Sequence, residues 1–214
     1  MNVLVTAGPT REPIDPVRFI SNRSSGRMGY AVAEAALRAG HQVRLISGPV
    51  ALEPPAGATR RRVTTAAEML AAVQRNLGWC DVLVMAAAVA DWRPAHPARH
   101  KLKKRDGPPR ITWEPTPDIL KAIAPRKQCH QVFCGFAAET AALAREARRK
   151  LREKNLDALA ANDVSKSDRG FESGRNALTV YLADGRSRRI RLADKSECGR
   201  RLVAILEKIA AKKS

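Results

Sequence analysis

Apolar positions along the chain follow two alternating rhythms. Short, nearly continuous apolar runs cover Asn2–Ala7, Gln42–Ser47, Asp81–Ala88, Val132–Phe136 and Leu156–Ala161. Runs of this length, rich in Val, Leu and Ile, predict strands buried on both faces. Between them, Arg27–Ala39, Thr65–Leu77 and Glu139–Lys154 carry helical spacing; Met69, Leu70 and Val73 share one face of the second. Gly40 follows the first helix, where glycine takes the left-handed conformation cheaply. Gly48-Pro49 ends the second strand. The alternation predicts an α/β, Rossmann-like three-layer fold: a mostly parallel sheet between two helical layers. Its 214 residues are expected to form a single domain, 1–214.

Two segments break the rhythm. Asp91–Pro117 holds Pro94, Pro97, Pro108, Pro109 and Pro115, and is too long for an ordinary connection. It reads as a long functional loop or arm after the central strand. Near the C-terminus, Asn176–Leu182 and Ser187–Leu192 joined through Asp184-Gly185 predict a β-hairpin. Lys195–Ala211 follows as an amphipathic helix, and Lys212-Lys213-Ser214 reads as a frayed tail.

Composition adds one question. The net charge is +18, which raises a basic nucleic-acid-binding α/β protein as an alternative. The cations are dispersed, however, over Arg60–Arg62, Lys101–Arg105, Arg145–Lys154, Arg186–Arg191 and Lys212-Lys213, and aromatics are only 4%, a thin stacking platform. An enzyme of polyanionic substrates fits equally. Cys80, Cys129, Cys134 and Cys198 make no C-x-x-C pair and read as buried free thiols. His96 and His100 lie in a Pro-rich stretch that is a poor helix, so they are not read as metal ligands. No apolar run is long enough to span a bilayer, and the start lacks a signal-peptide pattern. A soluble cytoplasmic protein is the expectation.

Candidate chemistry gathers at the predicted carboxyl ends of strands, where open α/β sheets bind ligands. A long polar stretch, Thr6–Gly26, separates the first strand from the first helix and ends in Ser24-Ser25-Gly26, where unpaired helix amides suit an anion. Gly8 follows the first strand without a G-x-G-x-x-G, which leaves a dinucleotide-dependent reductase a minor alternative. Ala86–Ala90 and Asp91 end the central strand; small side chains let backbone groups approach a ligand, or simply pack. Lys101 lies in the long loop, either over a phosphate or in solvent. Lys150 and Lys154 share a helix face, where Glu146 offers Lys150 an ion pair instead. Asp118 suits an N-cap, and Phe136 either stacks on a base or belongs to the core.

In order, these stretches resemble one family: phosphopantothenate–cysteine ligase. The resemblance rests on T-A-G-P-T-R-E-P-I-D-P-V-R-F-I-S-N-R-S-S-G at Thr6–Gly26, A-A-V-A-D-W-R-P at Ala87–Pro94, K-L-K-K at Lys101–Lys104 and P-D-I-L at Pro117–Leu120. G-F-A-A-E-T at Gly135–Thr140, K-L-x-x-K-N-L-D at Lys150–Asp157 and A-N-D-V at Ala161–Val164 complete it.

The resemblance implies an enzyme joining 4'-phosphopantothenate to L-cysteine in coenzyme A biosynthesis. CTP (ATP in eukaryotic relatives) activates the carboxylate as an acyl-cytidylate with loss of pyrophosphate, and the cysteine amine displaces CMP. By match, the implied catalytic residues are Asn22, Ala87, Ala88 and Lys101. Met85, Ala86, Ala87, Asp91, Lys101, Pro117, Asp118, Ile119, Leu120, Phe136, Lys150 and Lys154 would hold the nucleotide. Arg18, Ser24, Ser25 and Gly26 would form the substrate phosphate and acyl region. Mg²⁺ would travel with the nucleotide, on no dedicated protein cluster, with Asp91 its candidate ligand. A homodimer without membrane contact is implied. The pattern starts at residue 4, so the flavin-dependent decarboxylase that precedes the ligase in many bacteria would be a separate partner or part of a longer chain.

Overall fold

The computed structural model describes residues 1–139, 143–163 and 173–213. The elements in chain order are β1 (Asn2–Ala7), β2 (Arg11–Pro13), β3 (Phe19–Ser21), α1 (Arg27–Arg38), β4 (Gln42–Ser47), β5 (Thr59–Arg62), α2 (Ala66–Asn76) and β6 (Val82–Met85). They continue with β7 (Trp92–Pro94), β8 (Trp113–Pro115), α3 (Ile119–Ile123), β9 (Val132–Glu139), α4 (Leu143–Glu153), β10 (Ala158–Asp163), β11 (Arg175–Leu182), β12 (Ser187–Asp194) and α5 (Lys195–Ala210). Thr140 and Val164, at the ends of two quoted motifs, lie outside the described residues.

Eight strands form one sheet in the order β12-β11-β10-β9-β6-β1-β4-β5. From β10 to β5 all neighbours are parallel; β11 and β12 close the sheet antiparallel. The β5-β4-β1-β6-β9-β10 part is the doubly wound order, whose direction reverses between β1 and β6. Period-two alternation sends Val3, Val5 and Ala7 to one face, under α1 and α5, and Leu4 to the other, with Met69 and Val73 of α2, Ile123 of α3 and Leu151 of α4. Both faces of the sheet are therefore covered, which is why its strands read as continuous apolar runs.

Several expectations change. The central strand stops at Met85 rather than Ala88, because its pairing with β9 ends there while Ala86 and Ala87 bond Thr6 of β1 and Ala88 bonds Gly8 just beyond it. β9 runs on to Glu139, paired with Asp163 of β10, so α4 begins later than Glu139. β10 spans Ala158–Asp163 rather than Leu156–Ala161; Asn155, at φ 50, turns the chain out of α4 first. Thr59–Arg62 is an eighth strand of the main sheet that the apolar pattern does not announce. Cys80, Cys134 and Cys198 are buried, but Cys129 is exposed. Burial pushes the Cys80 and Cys134 thiols up to about 12, so neither is a nucleophile at neutral pH. Nor is the tail frayed at Lys213. Its ammonium reaches Asp157 Oδ1 at 2.5 Å and donates to the Gln131 carbonyl at 2.9 Å. Among the described residues no helix is long and apolar enough to cross a membrane.

Candidate functional site

The site grows from the first loop. Residues 9–25 form a small projection on the β2–β3 hairpin, and buried polar groups fasten it. Glu12, 1% exposed, accepts from the Ala66 amide at 2.8 Å and so caps α2. The Thr10 hydroxyl accepts from the Ala90 amide at 3.0 Å, and the Thr10 amide donates to the Ala88 carbonyl at 3.2 Å. Gly8 and Gly26 both have φ 76, and a Cβ built on Gly26 would lie 3.3 Å from Gly8 Cα. The two ends of the projection thus meet, and α1 starts beside the end of β1. Inside α1, Gly29 lies against that strand: a Cβ there would be 2.6 Å from Ala7 Cβ. Gly8, Gly26 and Gly29 occupy the places a dinucleotide fingerprint gives its three glycines, with the hairpin inserted between the first two. Gly29→Ala is expected to push α1 off the sheet at a cost of about 1–3 kcal/mol, checked by urea unfolding.

The second wall is Met85–Asp91. The Ala86 amide donates to the Thr6 carbonyl at 3.2 Å, Ala87 to the Thr6 hydroxyl at 3.2 Å and Ala88 to the Gly8 carbonyl at 2.9 Å. These amides brace the loop internally, so Ala86–Ala88 present to the cavity small side chains rather than a row of open amides. Asn22 bridges the two walls: its Nδ2 donates to the carbonyls of Ala88 at 3.2 Å and Val89 at 3.0 Å.

The arm begins and ends at this wall. Thr116 donates its amide to the Asp91 carbonyl at 2.9 Å and its hydroxyl to the Ala90 carbonyl at 2.5 Å. In between, β7 and β8 pair antiparallel, with Pro94 opposite Trp113 and Arg93 opposite Glu114. Arg93 and Glu114 form an ion pair at 2.8 Å on one side of this ribbon, while Trp92 and Trp113 are exposed. After the arm, Asp118 caps α3, accepting from the Lys121 amide at 3.1 Å, and pairs with Lys154 at 3.0 Å. Although burial opposes ionisation, the Lys121 amide and the Lys154 ammonium hold the Asp118 carboxyl below its usual range.

These segments enclose a cavity of about 520 Å³ at the carboxyl edge of the sheet, where β1 and β6 diverge. Of the residues singled out in the sequence, Asn22, Ser24, Ser25, Gly26, Met85, Ala86, Ala87, Ala88, Asp91, Pro117, Asp118, Ile119, Leu120, Phe136, Lys150 and Lys154 all line it. Glu146 lies against Arg145 and Arg149, rather than serving as the Lys150 partner that spacing offered.

Arg18 and Lys101 do not line it. Arg18 lies against Asp15, through Nε at 3.0 Å and Nη2 at 2.6 Å, and donates to the Leu102 carbonyl at 3.0 Å. Asp15 also accepts from the Leu102 amide at 3.1 Å. The Arg18 guanidinium holds the buried Asp15 carboxyl well below the usual carboxylate range, against the effect of burial. Arg18, expected in the substrate phosphate region, thus belongs to a knot outside the cavity lining that fixes the loop next to Lys101. The sequence reading missed Arg27, Met28, Asn162, Asn176 and Lys195, which also line the cavity.

Among the described residues no group of three or more His, Cys, Asp or Glu could hold a metal. Asp91, exposed at the cavity wall, suits Mg²⁺ of the kind held by one carboxylate plus substrate phosphates.

The comparisons agree on the chain's relationship. Coenzyme A biosynthesis bifunctional protein CoaBC of Bacillus subtilis (strain 168) is 44% identical over 211 residues, 98% of this chain and 51% of that protein. Its counterpart in Escherichia coli (strain K12) is 46% identical over 188 residues, 86% of this chain and 46% of that one. The chain thus spans about half the length of the curated relatives it matches. A crystal structure of the C-terminal domain of coenzyme A biosynthesis bifunctional protein CoaBC has a TM-score of 0.84 at 41% identity, covering 99% of this chain and 96% of that chain. A Cab2 mutant in complex with phosphopantothenate-cysteine shares the fold, with a TM-score of 0.82 at 18% identity over 99% of this chain and 87% of that one. The chain matches the DNA/pantothenate metabolism flavoprotein C-terminal domain over residues 1–210 and belongs to that family.

Proposed function

We propose that this protein is a nucleotide-dependent ligase that forms the amide between 4'-phosphopantothenate and L-cysteine, with CTP as the activating nucleotide. One observation carries the reading. A single cavity brings together Asn22, the Ala86–Asp91 wall, Pro117–Leu120 and the Lys150/Lys154 pair, segments far apart in sequence. A nucleotide and an anionic acyl substrate repel one another in water, and a cationic cavity offsets that repulsion.

The acyl carboxylate lies beside Asn22, over the small side chains of Ala87 and Ala88, and one of its oxygens attacks the α-phosphorus of CTP. The bond to pyrophosphate breaks and an acyl-cytidylate forms. The cysteine amine then attacks the acyl carbon, CMP leaves and the amine loses a proton. No side chain becomes covalently attached, consistent with the high thiol pKa of Cys80 and Cys134. Lys150 and Lys154 neutralise nucleotide phosphates, while Pro117–Leu120 and Phe136 hold the nucleoside. Lys101 serves from the arm, beside the Asp15–Arg18 knot. Bound with the nucleotide at Asp91, Mg²⁺ would supply charge neutralisation and orientation of phosphate oxygens. The exposed apolar residues Val17, Phe19, Trp92 and Trp113, on the two projecting hairpins, favour a homodimer assembled through this side.

Purified protein given phosphopantothenate, cysteine, CTP and Mg²⁺ is expected to release CMP and pyrophosphate in equal amounts, followed by mass spectrometry. Release at the same rate without phosphopantothenate would refute the ligase reading.

A further inference from the structure

Among the described residues, the outer strand β12 is covered on one face only. α5 packs on β11 and β12, and Leu178, Val180 and Ile190 join its core. On the opposite face α4 packs on β10 and reaches β11, but no buried core residue there comes from β12. Tyr181 of β11 lies half-buried at the margin of that core. Arg189 and Arg191 flank Ile190 in β12, so alternation turns both to this open face, where they are exposed.

α4 borders the face with two more arginines. Ala147 and Leu151 are its buried positions, and Lys154 reaches Asp118 at the start of α3. At about 3.6 residues per turn, Arg148 and Arg152 leave the helix on the flank away from α3, toward β11 and β12. Both are exposed. On the outward crest of α4 charge is neutralised, since Arg149 pairs with Glu146 and Glu153. Among the described residues, none of Arg148, Arg152, Arg189 and Arg191 meets a carboxylate at ion-pair distance.

We infer that this face binds single-stranded nucleic acid, with phosphates on the two arginine rows and a base against Tyr181. The rows repeat at about 6 Å on the helix and about 7 Å on the strand, a spacing comparable to that of phosphates along an extended nucleic-acid strand. Every cation of the face is arginine, whose planar fork pairs with phosphate through parallel hydrogen bonds and stacks on bases. A base must be unstacked to meet Tyr181, which favours a single strand over a duplex. An acidic polypeptide would satisfy the charges but leave the ring and the flat guanidinium faces unused. None of these five residues lines the cavity, so the inference is independent of the ligase reading.

Fluorescence anisotropy with a labelled oligouridylate, titrated at several salt concentrations, tests it. Arg148→Gln/Arg152→Gln and Arg189→Gln/Arg191→Gln each remove two phosphate contacts. Each pair should weaken binding by about tenfold or more and flatten the slope of log K against log salt by about 1.4. Arg61→Gln/Arg62→Gln removes the same charge from exposed positions of β5, at the far rim of the sheet. It should leave the affinity within about threefold. Tyr181→Leu should cost about fivefold or more with the salt slope unchanged. Absence of wild-type binding, equal weakening by all three arginine pairs, or displacement of the oligouridylate by CTP would overturn the assignment to this face. Wild-type affinity in Tyr181→Leu, with polyglutamate competing as well as the oligouridylate, would overturn nucleic acid as the partner.

Discussion

Asn22→Asp is expected to lower kcat by about 100-fold or more with little change in the unfolding midpoint. The amide nitrogen of Asn22 donates to two carbonyls, those of Ala88 and Val89, and so sets the gap between the two cavity walls. An aspartate of the same shape replaces that donor with a carboxylate oxygen. It would face two carbonyls it cannot bond and repel the substrate carboxylate that the reading places beside it. Asn22 is exposed, so the fold loses little. Steady-state kinetics and a thermal melt of the same preparation separate the two effects; near-normal kcat would remove Asn22 from the acyl-activation step.

The largest expected stability effect lies at the opposite end of the strands. Asp157 is buried and accepts from the Phe133 amide at 2.7 Å, with Lys127 at 2.8 Å and Lys213 at 2.5 Å. Asp157→Ala leaves the nearly inaccessible Lys127 without its carboxylate and releases the C-terminal tail. A loss of about 3–5 kcal/mol is expected, read by denaturant unfolding at pH 7. Lys127 is already held below the usual lysine range, by burial first and Lys213 second, with Asp157 opposing both. Removing Asp157 lowers it further. The unfolded chain then binds a proton that the folded variant gives up, so variant stability rises as pH climbs toward the ordinary lysine value. The deficit should therefore narrow between pH 7 and about pH 10. A deficit that stays constant would mean that the lost Phe133 hydrogen bond, not the stranded charge, sets the cost.

Continuous apolar runs located β1 and β4 to the residue, because both are buried on both faces and their ends coincide with turns. Strand ends set by partners were less legible. β6 stops at Met85 because Thr6, Gly8 and Thr10 compete for the backbone beyond it, and β9 runs on because β10 offers it partners. The β2–β3 and β7–β8 ribbons were unreadable for a different reason: each strand has three residues, and three of the four contain proline. Most of the cavity lining was legible through family motifs. Arg18 and Lys101 lie outside that lining, and spacing cannot reveal that Asp15 captures the guanidinium and the Leu102 backbone. Lys195 escaped because in sequence it is an ordinary charged residue opening an amphipathic helix.

The outermost strands give part of the +18 charge a physical purpose. β5 carries Arg60, Arg61 and Arg62, and β12 carries Arg188, Arg189 and Arg191. Each outermost strand offers unpaired backbone donors and acceptors along its open side, a template on which another molecule's strand could add. Two copies meeting rim to rim would bring arginine rows together, and that repulsion discourages endless sheet growth. Replacing these rows with neutral residues would leave the cavity as it is, but would remove a guard against fibrous self-association.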